Sequence, residues 1–396
     1  MRWLLARLFV LILGIVLSSL HKDTAVGWQF LNFGAMTLYK VCGMTGEANG
    51  QMMFGLGDFR QCWELFRLSV GPGDWNSVSS QDLDLELSLT RPEGPETTLM
   101  ARARIYQPQP FIKSDEQAVN SDTTPNLLPV MVYYHGGGFT ISHAYEVDYD
   151  ETMRQLSSQG QWIVVAVEYP LAPEQPFPEG LVHCHAVTQW VAASAGTHPA
   201  LLRADPTRLL VGGDSAGGNL AAVISMLARD GVDVYGQATS TRLDIAHQLL
   251  VYPALFPHYL TKSSQTYRDA YFVPLQLKEF FSSSYFGSTN KSLHQELKST
   301  DVRVNPLLLT DYTKLPDSTL IHAGLDPLQD EGIELAQRLQ TAGSSVTEYM
   351  YENQPHGFFC LPRIASLFGI QETQQAIKDA VTAVNTALQR RIIRSM

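Results

Sequence analysis

The feature that most constrains the fold is a short turn between a strand-like run and a helix-like run. The turn Gly213–Gly217 has the pattern Gly-x-Ser-x-Gly around Ser215, follows the apolar segment 208–212 and precedes the helix-like segment 219–224. A strand, a sharp turn and a helix hold a serine in a strained conformation with its hydroxyl above the sheet edge. The helix N-terminus beneath it favours negative charge. In a chain with 29 glycines the motif alone could be an ordinary turn. We predict that Ser215 is a nucleophile because the motif lies between a strand-like and a helix-like segment.

A run of glycines follows a second apolar segment. The segment 129–134 is rich in β-branched and aromatic residues, which predicts a buried strand, and it leads through a histidine into Gly136–Gly138. Amides of consecutive glycines are unshielded by side chains, and acyl transfer needs two or three such donors about 3 Å from the developing oxyanion. We predict that the amides of Gly136, Gly137 and Ala216 are these donors. A merely flexible loop is the alternative.

The acid should follow the serine, because the chain order in strand–turn–helix hydrolytic sites is serine, acid, histidine. Asp326 comes directly after the strand-like segment 318–325, where a loop at the end of a strand would hold it. Asp330 and Glu331 are alternatives, but they begin the next helix-like run, where acids are explained by the helix dipole. The pattern favours Asp326.

His356 has the order and setting expected of the general base. It follows the alternating segment 346–351 and lies between a proline and a glycine. We predict that it takes the proton of Ser215 and returns it to the leaving group, while Asp326 orients the imidazole. The remaining histidines beyond residue 180 are assigned to a helix (His183, His185), to strands (His247, His322) or to loops (His198, His258, His294).

These motifs, together with the segment Glu168–Glu174, resemble the hormone-sensitive-lipase-like branch of the α/β-hydrolases. That branch includes bacterial esterases, plant carboxylesterases and arylacetamide deacetylases. The resemblance covers residues 82–390. It implies an α/β-hydrolase fold, with a mostly parallel central sheet flanked by helices and a helical cap over the active site. It also assigns the oxyanion donors to the first two glycines of the loop and to the residue after the serine.

The leading functional hypothesis is a carboxylic-ester hydrolase that acts on lipophilic esters through an acyl-serine intermediate. Amide deacetylation by the same chemistry is one alternative. A non-catalytic ligand receptor is another, because fold does not imply function. Plant hormone receptors that resemble this family have lost the catalytic histidine, whereas this chain keeps His356. No zinc or nucleotide motif is present, so no metal or other cofactor is expected.

Length and composition fit one large domain with a cap. The 396 residues are 45% hydrophobic, which is ample for a single α/β core. We predict N-terminal cap helices over 23–80, a catalytic domain over 81–396 and a cap insertion at about 255–315, whose aromatic residues imply an apolar pocket. The net charge of −11 argues against nucleic acid as a partner. The oligomeric state stays open.

The first 22 residues predict a membrane or secretory segment. Arg2 and Arg7 precede a uniformly apolar run, and counted over Trp3–Leu20 this run barely spans a bilayer. Counted from Leu8, it has the length of a signal-peptide core. We favour an uncleaved signal anchor that gives a single-pass protein with a lumenal catalytic domain, with the endoplasmic reticulum as the expected membrane. A cleaved signal peptide and secretion are the alternative.

The chain has four cysteines, and the sequence does not decide whether any of them form a disulfide. Cys42 and Cys62 lie in the same N-terminal segment and could form a disulfide in an oxidising lumen. Four unpaired thiols are the alternative, which the sequence slightly favours. Cys184 lies in a predicted helix and Cys360 follows the catalytic loop, and neither needs a redox role.

Overall fold

The computed structural model describes residues 46–48, 51–53, 77–92, 94–109, 127–257, 259–270, 273–367 and 370–395. The predicted signal anchor over 1–22 and the cysteine pair Cys42 and Cys62 lie outside the described residues. Most of the predicted N-terminal cap, 23–80, does so too.

The pieces of 23–80 that are described are extended rather than helical. Strands β1 (Gly46–Ala48) and β2 (Gln51–Met53) pair antiparallel. The dipeptide between them in the sequence is Asn-Gly, the pair most typical of two-residue hairpins. The main sheet also begins inside this range, at Val78.

An eight-stranded sheet forms the centre of the fold, in the spatial order β10-β9-β8-β7-β5-β6-β4-β3. Strand β4 pairs antiparallel with both of its neighbours, and all other pairs are parallel. The prediction of a mostly parallel sheet is therefore confirmed. The strands are β3 (Val78–Leu89), β4 (Thr97–Pro108), β5 (Leu128–Tyr134), β6 (Ile163–Glu168), β7 (Ala204–Asp214), β8 (Ile245–Val251), β9 (Asp317–Leu325) and β10 (Val346–Pro355).

Helices follow the parallel strands and cover both faces of the sheet. They are α1 (Val147–Gly160), α2 (Glu179–Ser194), α3 (Ala216–Asp230), α4 (Lys262–Thr266), α5 (Leu275–Tyr285), α6 (Lys291–Thr300), α7 (Gln329–Thr341), α8 (Pro362–Leu367) and α9 (Glu372–Ser395). Short 3-10 turns occur at Pro199–Leu201, Pro306–Leu308 and Phe358–Cys360. In the described ranges, no helix combines the length and the apolarity needed to cross a bilayer.

The sheet separates the hydrophobic core into two clusters, one on each face, and the alternation of side chains along β5 shows this. Val130 and Val132 belong to the cluster that contains the apolar residues of α2 and α3, whereas Met131 and Tyr133 belong to the cluster with those of α1 and α9. All seven side chains of β5 are buried. A parallel strand covered on both faces reads as a continuous apolar run, which explains why the sequence pattern identified it.

Helices α4, α5 and α6 lie between β8 and β9, in the segment predicted as a cap insertion. The sequence assigned His294 to a loop, and this is wrong because the residue lies within α6. The helix begins one residue after Asn290, whose side-chain oxygen accepts the N–H of Ser292 at 3.0 Å. An asparagine N-cap satisfies a donor that the first helical turn leaves unpaired.

Candidate active site

Ser215 lies at the sharp turn between β7 and α3, in a backbone conformation that non-glycine residues rarely adopt. Its φ is 55° and its ψ is −116°. Two hydrogen bonds hold this turn: the N–H of Ser215 donates to the carbonyl of Val251 at 2.9 Å, and its own carbonyl accepts the N–H of Ala254 at 3.0 Å. The end of β8 therefore fixes the strained serine.

The two glycines of the turn are required by close backbone contacts. A Cβ on Gly217 would lie 1.8 Å from the carbonyl oxygen of Tyr134, and a Cβ on Gly213 would lie 2.3 Å from the carbonyl oxygen of Gly217. Real Cβ atoms do not approach backbone so closely. The turn is thus pressed against the C-terminal end of β5, where the glycine loop begins.

Three side chains from different loops form one hydrogen-bonded chain. Nε2 of His356 lies 2.8 Å from Oγ of Ser215, and its Nδ1 lies 2.7 Å from Oδ2 of Asp326. Asp326 is fully buried, and its other oxygen accepts the N–H of Leu328 at 2.8 Å. The ring of Tyr252 packs against the imidazole at 4.6 Å between centroids. The structure thus brings together the serine, histidine and aspartate that the sequence selected.

The alternative acids have other partners. Asp330 accepts the N–H of Ser263 at 2.7 Å, and Glu331 accepts the N–H of Leu255 at 2.8 Å. Each carboxylate therefore ties the start of α7 to the segment that follows β8. His322 also lies apart from the triad-like group, with its Nε2 3.1 Å from a carboxylate oxygen of Glu348.

The glycine loop departs from the prediction at its first residue. The N–H of Gly136 donates to the hydroxyl of Tyr149 at 2.8 Å and to Oδ1 of Asp214 at 3.0 Å. An amide held in this way is unavailable to a substrate, so the assignment of Gly136 as an oxyanion donor is wrong. The physical reason is that the first glycine of the loop is still packed against the turn, on top of the Asp214 carboxylate.

The next two glycines have free amides and conformations that suit them. Their φ values are 105° at Gly137 and 59° at Gly138, in the region that glycine enters without steric cost. In the described part of the chain, no acceptor is bonded to the N–H of Gly137, Gly138 or Ala216. The ring of Phe281 from α5 packs so closely on Gly138 that a Cβ there would overlap it. These three amides are therefore available as hydrogen-bond donors.

Asp214 connects the serine turn to the glycine loop, and the sequence analysis missed this role. Its buried carboxylate accepts hydrogen bonds from the hydroxyls of Tyr133 at 3.1 Å and Tyr149 at 2.8 Å, in addition to the Gly136 amide. Burial raises the pKa of Asp214, and the tyrosine hydrogen bonds oppose that rise. Asp214 lies beside the serine in the motif, but no local signal links it to Tyr149, which lies 65 residues away on α1.

A second set of contacts braces the loop from the other side. Tyr169 donates its hydroxyl to the carbonyl of His135 at 2.6 Å, and the two rings stack at 4.2 Å. The Nδ1 of His135 lies 2.7 Å from the carbonyl oxygen of Gly136. The segment that follows β6 therefore supports the glycine loop from below, and His135 acts as a structural residue of that loop.

A cavity of about 580 Å³ opens beside Ser215. Phe139, Phe256 and Phe281 give it an aromatic wall, and three lysines of α5 and α6 also line it. Glu331 also lines the cavity and has only 1% of its surface exposed. Burial raises the pKa of Glu331 to about 7, although nearby lysines oppose the rise. The sequence predicted the aromatic part of this pocket but not its charges.

The two cysteines that the structure describes, Cys184 and Cys360, are buried and unpaired. Burial raises the pKa of each thiol well above its usual value. Neither therefore has the thiolate character that redox or nucleophilic chemistry needs.

Comparison with known proteins agrees with this geometry. A family model for the alpha/beta hydrolase fold matches residues 131–360. The chain is 33% identical over 310 residues to a carboxylesterase, NlhH, of Mycobacterium tuberculosis, which covers 73% of this chain and 90% of that protein. It is 26% identical over 265 residues to the gibberellin receptor GID1C of Arabidopsis thaliana, which covers 66% of this chain and 72% of the receptor.

A solved structure of an ester-hydrolase is also similar to this chain over most of its length. The ester-hydrolase EH1AB1 from the metagenome of Lake Arreo, complexed with a bipyridine phosphonate derivative, is 28% identical with a TM-score of 0.67. The match covers 90% of this chain and 98% of that one. The sheet order, the serine turn, the glycine loop and these similarities lead to one conclusion: the chain belongs to the α/β-hydrolase family, in its hormone-sensitive-lipase-like branch.

Proposed function

We propose that this protein hydrolyses carboxylic esters through an acyl-serine intermediate, with Ser215, His356 and Asp326 as its catalytic triad. The chain is a carboxylesterase-like α/β-hydrolase. One observation carries the proposal: the imidazole of His356 is hydrogen-bonded on one side to the Ser215 hydroxyl and on the other to the buried Asp326 carboxylate. This arrangement keeps the proton on Nδ1 and leaves Nε2 free to accept the serine proton.

In the first half of the reaction, Oγ of Ser215 forms a bond to the ester carbonyl carbon and passes its proton to Nε2 of His356. The carbonyl oxygen becomes an oxyanion, which accepts hydrogen bonds from the amides of Gly137, Gly138 and Ala216. The bond to the alcohol then breaks, and the alcohol oxygen takes the proton from Nε2. Asp326 stabilises the imidazolium between these two transfers.

In the second half, water attacks the acyl-serine. His356 removes one proton from the water as its oxygen bonds to the carbonyl carbon, and the same three amides stabilise the second oxyanion. The bond to Ser215 breaks, and Oγ regains its proton from Nε2. The products are one carboxylic acid and one alcohol, and the residues return to their starting state.

The aromatic wall of the cavity supports lipophilic substrates. Phe139 and Phe281 are almost fully buried, and Phe256 is partly buried beside them. An apolar acyl or alcohol group that packs against these rings would be removed from water, at about 25 cal/mol per Å² of apolar surface. Amide deacetylation uses the same residues and remains the second candidate.

The receptor hypothesis is less well supported than hydrolysis. Gibberellin receptors are among the similar proteins, but a receptor needs neither a base aligned on the serine nor free amides above it. Here His356 and the open amides of the glycine loop are both present.

We also propose that residues 1–22 anchor the protein in a membrane with the catalytic domain on the lumenal side, because an arginine-flanked apolar run precedes the enzyme.

Covalent labelling tests the proposal directly. The purified protein should react with a fluorophosphonate probe and hydrolyse 4-nitrophenyl hexanoate. Ser215→Ala should abolish the labelling and lower the turnover about 10³-fold or more, because triad residues act as a unit. Ser264→Ala is the matched control, since Ser264 lines the same cavity. Normal labelling of Ser215→Ala would refute the nucleophile, and a folded wild-type protein without turnover would favour the receptor.

A further inference from the structure

Two lysines from neighbouring helices border the cavity into which Ser215 opens. Lys278 lies on α5 and Lys298 on α6, and both are partly buried. Within the described ranges, neither ammonium forms an ion pair with a carboxylate. Lys291, at the exposed rim of the same cavity, does form one, with Glu279 at 3.7 Å. Lys278 and Lys298 therefore differ from an exposed lysine such as Lys291, whose charge is paired with a carboxylate.

Glu331 is a buried carboxylate in the lining of the same cavity, but it cannot compensate both positive charges. It interacts electrostatically with both Lys278 and Lys298. One carboxylate cannot neutralise two ammonium groups, and with a pKa of about 7 Glu331 carries only part of a negative charge near neutral pH. Burial lowers the pKa of Lys298, and repulsion by Lys278 lowers it further. Glu279, the other carboxylate that interacts electrostatically with Lys298, is exposed and forms its ion pair with Lys291. The buried part of the cavity therefore holds less negative than positive charge.

The position of Lys298 keeps its charge in the cavity. Its ammonium lies 5.5 Å from the centre of the Phe256 ring, a cation–π distance. The same ring belongs to the aromatic wall beside Ser215. Apolar and positively charged surfaces therefore meet in one cavity, in a protein whose net charge is −11. Such a local field attracts an anion that the rest of the surface would repel.

We propose that the preferred esters carry a second, anionic group, a carboxylate or a phosphate, which binds between Lys278 and Lys298 while the ester carbonyl lies at Ser215. This inference rests on the proposed ester hydrolysis and specifies its substrate class. An ammonium is a compact point charge that binds carboxylate and phosphate alike. The apolar part of the substrate would lie against Phe256 and its neighbours.

A matched pair of esters tests this selectivity. Mono-4-nitrophenyl adipate and 4-nitrophenyl hexanoate have acyl chains of equal length, and only the first ends in a carboxylate. We expect the wild-type enzyme to have the higher kcat/KM for the adipate ester. Lys278→Met and Lys298→Met should each lower that kcat/KM by roughly tenfold, equivalent to about 1.4 kcal/mol. Their kcat/KM for the hexanoate ester should stay within about twofold. Lys291→Met is the control and should change neither value.

The outcomes separate this inference from the proposed function. A wild-type preference for the hexanoate ester that no lysine substitution alters would overturn the inference and leave ester hydrolysis intact. Equal losses on both esters would show that the lysines are structural, and this too would overturn it. Absence of turnover and of fluorophosphonate labelling in the folded wild-type protein would instead refute the function itself.

Inhibition of the wild-type enzyme provides a second measurement that does not depend on the folding of variants. Hexyl phosphate, hexanoate and hexanol should compete with 4-nitrophenyl hexanoate. We expect one or both anions to inhibit at least about tenfold more strongly than hexanol, and less strongly at high salt. The stronger anion identifies whether carboxylate or phosphate is preferred. Inhibition by hexanol that equals that of both anions would contradict the proposal.

Discussion

The carboxylate of Asp214 accepts the amide hydrogen of Gly136 at 3.0 Å, and this bond joins the serine turn to the glycine loop. The two residues are 78 positions apart in the sequence. The residue that precedes Ser215 thus holds the start of the glycine loop. The serine turn and the glycine loop are thus held together as one unit, and Tyr149 completes the bond network by contacting both partners.

Tyr149→Phe should loosen this unit while leaving the triad in place. The change removes the bond that the phenol accepts from Gly136 and the one it donates to Asp214. We expect kcat to fall roughly tenfold with KM nearly unchanged, because loss of a positioning contact costs less than loss of a donor, which costs about 10²–10³-fold. Steady-state kinetics on 4-nitrophenyl hexanoate measure this. Tyr145→Phe is the control, and equal kcat values in both variants would disprove the role.

Asp326→Asn should lower kcat by about 10³–10⁴-fold without unfolding the protein. The amide would donate to Nδ1 of His356 and so favour the tautomer that cannot accept the serine proton. Asp330→Asn is the matched control, because Asp330 bonds the backbone of Ser263 rather than the imidazole. A larger loss of kcat in Asp330→Asn than in Asp326→Asn would show that the acid has been misassigned.

Gly217→Ala should prevent folding or lower the thermal midpoint severely. The new Cβ would lie 1.8 Å from the Tyr134 carbonyl oxygen, and neither backbone segment can move without disrupting β5 or α3. Gly231→Ala is the control: Gly231 has a φ of 67°, but a Cβ added to it would have no atom within 4 Å. That change should cost only about 1 kcal/mol of unfolding free energy. Thermal unfolding followed by circular dichroism compares the two variants, and similar midpoints would contradict the packing argument.

Glu331→Gln should stabilise the protein at pH 8 but not at pH 4.5. The folded-state pKa of Glu331 is raised to about 7 from an ordinary 4.5. Between these values the folded state holds more protons than the unfolded state, so the unfolding free energy falls as the pH rises. Glutamine removes this loss and can still accept the Leu255 N–H.

The expected gain at pH 8 is at most about 3 kcal/mol, at about 1.36 kcal/mol per pKa unit. Urea unfolding at the two pH values measures it. Glu352→Gln, at an exposed carboxyl, is the control. A gain that is the same at both pH values would show that the effect does not come from ionisation.

The full-length protein should stay with the membrane fraction after carbonate extraction, and deletion of residues 1–22 should release it. The reason is the apolar run behind Arg2 and Arg7, which is long enough to enter a bilayer. N-terminal sequencing of the mature protein distinguishes the alternatives. A mature chain that begins near Leu20 would mean that the segment is a cleaved signal peptide.

Local motifs were sufficient to select the three side chains that the structure brings together and to predict the class of fold. Ser215, Asp326 and His356 could be selected because each follows an apolar strand signal, and strand ends in a parallel sheet converge on one edge. Glycine at position 213 is likewise required within the turn itself, where a Cβ would lie 2.3 Å from the Gly217 carbonyl oxygen. These inferences use neighbours in the chain, which the sequence displays directly.

Which amides are available as candidate oxyanion donors, and which charges line the cavity, was decided by the tertiary structure. The sequence by itself assigned the amide of Gly136 to the substrate, whereas the fold brings Asp214 and Tyr149 onto that amide and leaves Gly138 open instead. Likewise, Lys278, Lys298 and Glu331 meet only because α5, α6 and the start of α7 line one cavity. Such contacts join residues that are far apart in the chain. The pattern of a single sequence does not show which distant residue will accept the hydrogen bond of a given amide, or which charged residues will line a given cavity.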